Sequence, residues 1–137
     1  MALTSDATLL RLQRMSFPDD ADILARSEAL ERQSCSLLGR ALQATSGDAV
    51  SVNAAYQAGY IALMSALSVS EVGSYSDHPN KTAAALGAQR LRLSPEDQLL
   101  ARDGASTYYS PATRSTSELK QHVGWARRAR AAADWAP

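Results

Sequence analysis

The sequence predicts an all-α protein, an up-and-down bundle of about five helices, and three observations predict it. The stretch from Ala49 to Ser70 has no charged residue, and its apolar residues cover more than one helical face: Val52, Tyr56, Leu63 and Leu67 on one, Ala54, Ala58, Ile61 and Ser65 on another. A helix of that kind is enclosed by other helices or by a membrane. Ser51, Asn53, Gln57, Ser65 and Ser68 interrupt the segment and argue against a membrane. Helix start and stop signals recur along the chain, and strand-like alternation is absent.

Each element has its own signal. Residues 1–17 read as an N-terminal arm with a short helix broken at Phe17-Pro18, because the residue before proline avoids helical dihedrals. The bundle domain is expected over residues 18–137. Its first helix starts with Pro18 in the first turn and Asp19, Asp20 and Asp22 at the positive end. Ile23, Leu30 and Leu37 recur every seventh residue with Ser27, Ser34 and Ala41 between them, a stripe facing the bundle that runs to about Ala44. Thr45-Ser46-Gly47-Asp48 is a turn and a cap for the central helix, expected over Ala49 to Val69. Ser76 or Asp77 caps a third helix near Pro79 that carries Ala83, Leu86 and Leu91. Ser94-Pro95-Glu96-Asp97 starts a fourth, with Leu99 and Leu100 as its apolar side and Asp103-Gly104 as its end. Ser115-x-x-Glu118 resembles a capping box opening the last helix.

Composition narrows the function classes. The chain has 137 residues, 14 basic and 14 acidic, so its formal net charge is zero. There is no bulk electrostatic signature for nucleic acid or anionic membrane. One cysteine, Cys35, rules out an internal disulfide or a cysteine zinc cluster. Two histidines, His78 and His122, without carboxylates at ligand spacing make a poor metal site, and no cofactor is implied. With no signal-peptide core and no long apolar span, a soluble, cytoplasmic protein is the expectation.

The order of parts carries a resemblance. A long amphipathic helix is followed by Ala54-Ala55-Tyr56-Gln57-Ala58-Gly59-Tyr60-Ile61-Ala62-Leu63. A polar loop with His78 leads to Ala83-Ala84-Ala85-Leu86-Gly87. Leu99-Leu100-Ala101-Arg102 precedes Tyr108-Tyr109, and the last helix opens with Ser-x-x-Glu. This resembles the HEPN superfamily, in particular its small stand-alone bacterial members, over about Pro18 to Trp135. The resemblance implies a helical bundle that homodimerises. Many such proteins are metal-independent ribonucleases of toxin–antitoxin or defence systems. Others bind a nucleotide, RNA or a partner protein, such as a cognate antitoxin, without catalysis. Catalytic members carry an arginine followed after four to six residues by a histidine. Arg102 stands where that arginine falls, but Asp103 to Tyr109 contain no histidine.

The reading therefore favours a non-catalytic binding module. Its ligand site is expected around Asn53, Gln57, Arg102 and Tyr108, with Arg102 closing a helix and Tyr108 in the loop after it. A ribonuclease using Arg102 with Tyr108 or with a histidine brought across the dimer, or a structural helical protein unrelated to the family, stays open. Tyrosine is a poor base at neutral pH unless perturbed. Zero net charge and the small residues Ala54, Ala58 and Gly59 suit a homodimer packed across a two-fold axis. Arg127, Arg128 and Arg130 form a basic end to the last helix beside Trp125, a solvated face or an RNA contact.

Overall fold

A computed structural model describes residues 20–44, 47–68, 71, 79–108 and 115–136. It contains, in chain order, α1 (Asp20–Leu42), α2 (Ala49–Ser65), α3 (Lys81–Arg90), α4 (Pro95–Thr107) and α5 (Thr116–Ala132), with no strand among the described residues. The N-terminal arm, Thr45-Ser46 and the Ser76–His78 capping signal lie outside the described residues.

Residues Ala49–Ser65 of the uncharged stretch form the central helix, which ends at its Ala66 cap, short of the expected Val69. In α2, Val52, Tyr56, Ile61, Leu63 and Leu67 just beyond its end are all buried, as are Ala54, Ala55, Ala58 and Ala62. The Asp48 side chain caps its start by accepting from the Ser51 backbone N–H at 2.8 Å. Its far end has no basic residue of its own. Instead, Arg26 on α1 donates to the Leu67 and Met64 carbonyls at 3.4 and 3.5 Å, and Arg90 on α3 donates to the Ala66 carbonyl at 3.5 Å. Guanidinium groups from two neighbours thus answer the carbonyls that a helix C-terminus leaves over.

The stripe on α1 faces inward through its small members. Ser27, Ser34 and Ala41 are buried together with Leu38, while Leu30 and Leu37 are half-buried flanks. Serine and alanine at the seam let α1 approach α2 closely enough for the Ser34 hydroxyl to donate to the Ala58 carbonyl at 2.7 Å. Pairings of Ser34 with Ala58 and Arg26 with Leu67 run in opposite senses, so α1 and α2 are antiparallel. By contrast, Gly47 meets Ser115, Tyr56 meets His122, and Gly59 meets Trp125, so α2 and α5 run side by side in the same direction. The connection between them carries α3 and α4, so the helices do not alternate throughout as in the expected up-and-down order, which would set the second and fifth antiparallel.

Two glycines mark where helices press closely on aromatic rings. A methyl group on Gly59 would overlap the Trp125 ring, and one on Gly104 would overlap Tyr56. Gly104 therefore does not end α4, as its sequence context suggests. It lies inside a helix that runs on to Thr107, at the one kind of residue that admits the Tyr56 ring. The inward side of α4 is Asp97, Ala101 and Gly104; of the expected Leu99–Leu100 face, Leu100 is half-buried against the core while Leu99 is 50% exposed. The start of α4 is as expected, with Pro95 in the first turn and Ser94 accepting from the Asp97 N–H at 3.1 Å. Asn80, not an earlier residue, caps α3 by accepting from Thr82 and Ala83 at 2.8 and 3.1 Å. Ser115 caps α5 through the Glu118 N–H at 3.0 Å.

The small residues considered for a dimer seam are used within the chain: Ala54 and Ala58 are buried, and Gly59 is covered by Trp125. No helix of the described residues is long and apolar enough to cross a membrane.

Candidate functional site

Tyr56 is the hub around which the polar stripe of α2 is arranged. Its ring stacks on Trp125 with centroids 5.1 Å apart and planes 6° apart, and its hydroxyl donates to the Ala101 carbonyl at 2.6 Å. Burial, reinforced by Tyr60 and Tyr108, pushes its phenol far above the usual tyrosine range. It is a neutral donor fixed in place and supplies no base. Tyr60, Tyr108 and His122 surround it at 5.9, 6.0 and 6.4 Å between ring centroids.

Two of the four expected site residues are brought together. The Tyr108 hydroxyl, from the C-terminal end of α4, donates to Gln57 Oε1 at 2.7 Å, 51 positions away in sequence. That leaves the Gln57 amide NH2 without a hydrogen-bond partner among the described residues. Asn53, one turn earlier on α2 and also half-buried, has no side-chain hydrogen bond among them either. Helical spacing puts Asn53, Gln57 and Tyr60 on one face. Tyr60 is held there by the Asn80 N–H, which donates to its hydroxyl oxygen at 3.2 Å.

Arg102 is not joined to this pair. It stands inside α4, five residues before the helix ends, and its side chain is 55% exposed with the Asp103 carboxylate 4.0 Å away. The expected helix-closing arginine is thus a surface side chain in mid-helix. The reason is Gly104, which packs against Tyr56 and lets the helix continue.

His122 is the group that sequence reasoning left out. Its Nδ1 lies 2.8 Å from the Glu118 carbonyl, which can only accept, so Nδ1 carries a hydrogen. The ring stands edge-on to Tyr56. The signal in the sequence was positional: Tyr56 and His122 share a face only once α2 and α5 are known to lie parallel.

The basic end of α5 is mostly structural, and so is Trp125. Trp125 is 1% exposed, and its indole N–H donates to the Asp97 carbonyl at 3.0 Å. Arg128 forks onto the Asp97 carboxylate at 2.8 and 2.9 Å, and this bond raises the guanidinium further above its usual value. Arg130 is 2% exposed and donates to Ser34 Oγ at 2.7 Å, to the Ala136 carbonyl at 2.9 Å and to the Glu31 carbonyl at 3.5 Å. Its guanidinium carbon sits 5.6 Å from the centre of a Trp135 ring. Only Arg127 of the three arginines is exposed and unpaired among the described residues.

Among the described residues no group of three or more His, Cys, Asp or Glu side chains is placed to hold a metal ion. Comparison with family models, with curated proteins and with solved structures gives no match.

Proposed function

We propose that the chain is a HEPN-like helical binding module without catalysis, and that a nucleotide or an RNA base docks on the face of α2 that carries Asn53 and Gln57. The observation that carries this reading is the pair of half-buried amides with hydrogen-bonding groups unused among the described residues. Buried and half-buried polar groups in folded proteins are normally satisfied. A nucleobase edge offers alternating donors and acceptors that match carboxamides, and flanking tyrosine rings supply stacking surfaces. Tyr60 and Tyr108, both half-buried, flank these amides. The absence of turnover is supported by the fixed, neutral Tyr56 phenol and by the outward position of Arg102, since cleavage of RNA needs positioned proton carriers and charge stabilisation.

The test is an amide NMR titration with the four ribonucleoside monophosphates and with short single-stranded RNA. Side-chain amide resonances of Asn53 and Gln57 are expected to move, and Asn53→Ala with Gln57→Leu is expected to weaken binding about tenfold. Shifts confined to the Arg127–Arg130 end would overturn the assignment. One observation favours the ribonuclease reading: the His122 ring stands edge-on beside Tyr56, with its Nδ1 held at the Glu118 carbonyl. Cleavage of labelled RNA by the wild type that is lost in His122→Gln would put that reading first.

A further inference from the structure

On a side of the bundle away from the α2–α4 contact, the end of α1 and the first turns of α5 leave a groove of about 410 Å³. Its floor is apolar and small: Ala41, Ala44, Leu119, Val123 and Gly124. Its lip is Leu42, 49% exposed and one of three large apolar side chains left in water among the described residues. Lys120 and Arg127 also line it, both exposed. Neither has an ion-pair or hydrogen-bond partner among the described residues, although the chain as a whole carries as many acidic as basic side chains. The two cations are seven residues apart on one helix, so they stand on the same edge of α5, about 10 Å apart along its axis.

Gly124 sits between them. Among the described residues, a methyl group built on it would meet only the Arg128 Nη1, at 3.3 Å, so they leave the backbone of α5 open to a visitor at that point. The cations and the apolar floor select the same kind of visitor: a helix whose apolar stripe fills the groove and whose carboxylates, two turns apart, reach Lys120 and Arg127.

We propose that this groove is a docking site for an acidic amphipathic helix of a partner protein. Charge complementarity argues for that occupant, since the described lining of the groove contains two cations without partners among the described residues and no carboxylate. The site is separate from the Asn53–Gln57 face, so it stands or falls independently of the nucleotide reading.

The probe is a fluorescein-labelled peptide of about four helical turns with Leu at the stripe positions and Glu two turns apart on its edge. Controls are a scrambled peptide and a copy with Lys in place of Glu. Anisotropy is expected to show binding of the acidic peptide alone, weakening as salt rises. The double variant Lys120→Glu, Arg127→Glu is expected to lose about tenfold in affinity for it and to gain affinity for the Lys peptide. Leu42→Asp, a second route that leaves both cations in place, is expected to weaken binding as well. Unchanged far-UV circular dichroism shows that the variants fold. Equal binding of acidic and scrambled peptides, no binding up to about 1 mM, or indifference to the charge reversal overturns the proposal. So does a wild-type dimer, seen by sedimentation, that the charge reversal dissolves, because the occupant would then be a second copy of the chain.

Discussion

The seam between α1 and α5 is closed at one end and open at the other. At the closed end, Arg130 passes under Trp135 and reaches Ser34 and the Glu31 carbonyl, and the Ser34 hydroxyl goes on to Ala58 of α2. Three helices are tied through one hydroxyl that accepts from one neighbour and donates to the other. At the open end, the same two helices present alanines, a glycine and exposed cations around a groove. The difference teaches where the fold is specified. A buried guanidinium bound to neutral acceptors tolerates only one arrangement of its donors. An alanine-lined gap tolerates many, and it is left for a partner to fill.

The contrast can be broken or sharpened by substitution. The largest loss is expected midway along α5, where Trp125 both stacks on Tyr56 and bonds to Asp97: Trp125→Ala should cost about 3–5 kcal/mol in urea unfolding. At the closed end, Ser34→Ala removes the shared hydroxyl and should cost about 1–3 kcal/mol. Leu42→Ser at the open end should stay within about 0.5 kcal/mol of wild type. Equal losses at the two ends would remove the distinction. The glycines repeat the comparison on a smaller scale. Gly59→Ala drives a methyl into the Trp125 ring and should cost about 1–3 kcal/mol. Gly124→Ala meets only the tip of Arg128 and should lie between neutral and a gain of about 1 kcal/mol in thermal unfolding, through helix propensity.

The smallest effect concerns an ion pair in water. Arg90 grips Glu71 with bonds of 2.5 and 2.6 Å, and these, with backbone and hydroxyl donors from Ser68, hold the Glu71 carboxyl down at about 2. A carboxylate whose folded pKa is depressed adds stability above its unfolded pKa, near 4.3, and that contribution is lost as pH falls toward about 2. Solvent screens the pair, so the effect is slight. Comparing acid unfolding of the wild type with Glu71→Gln should show a shallower pH dependence for the variant between about pH 4.5 and 2.

Much of the fold was legible because it follows from local rules. The enclosed helix was readable from the missing charges of Ala49–Ser70. Asp48, Ser94 and Ser115 were readable as caps, and Ser27, Ser34 and Ala41 as the inward stripe of α1. What escaped depends on partners distant in sequence. Gly104 looks like a helix stop until Tyr56 is set against it, and Arg102 then loses its place at a helix end. Arg128 and Arg130 look solvated until Asp97 and Ser34 arrive from other helices. Of the expected site, the Gln57–Tyr108 contact was legible as a shared polar stripe and a following tyrosine. His122 was not, since its nearness to Tyr56 requires the parallel course of α2 and α5.

The borrowed ending of α2 has a consequence for how the chain unfolds. This helix supplies no charge to its own C-terminus and relies on Arg26 and Arg90 from α1 and α3. Its sides are covered by α1 and α5. A helix so dependent on others is not an early, self-standing segment, because most helical stability in proteins comes from tertiary packing and not from propensity. Its amide hydrogens are expected to exchange with solvent only when the whole bundle opens, and to share one rate-limiting free energy. Amides near the surface-lying Val50 should escape first, through fraying of the first turn. In exchange experiments α2 then acts as the chain's internal gauge of global stability, against which the looser end of the α1–α5 seam can be read.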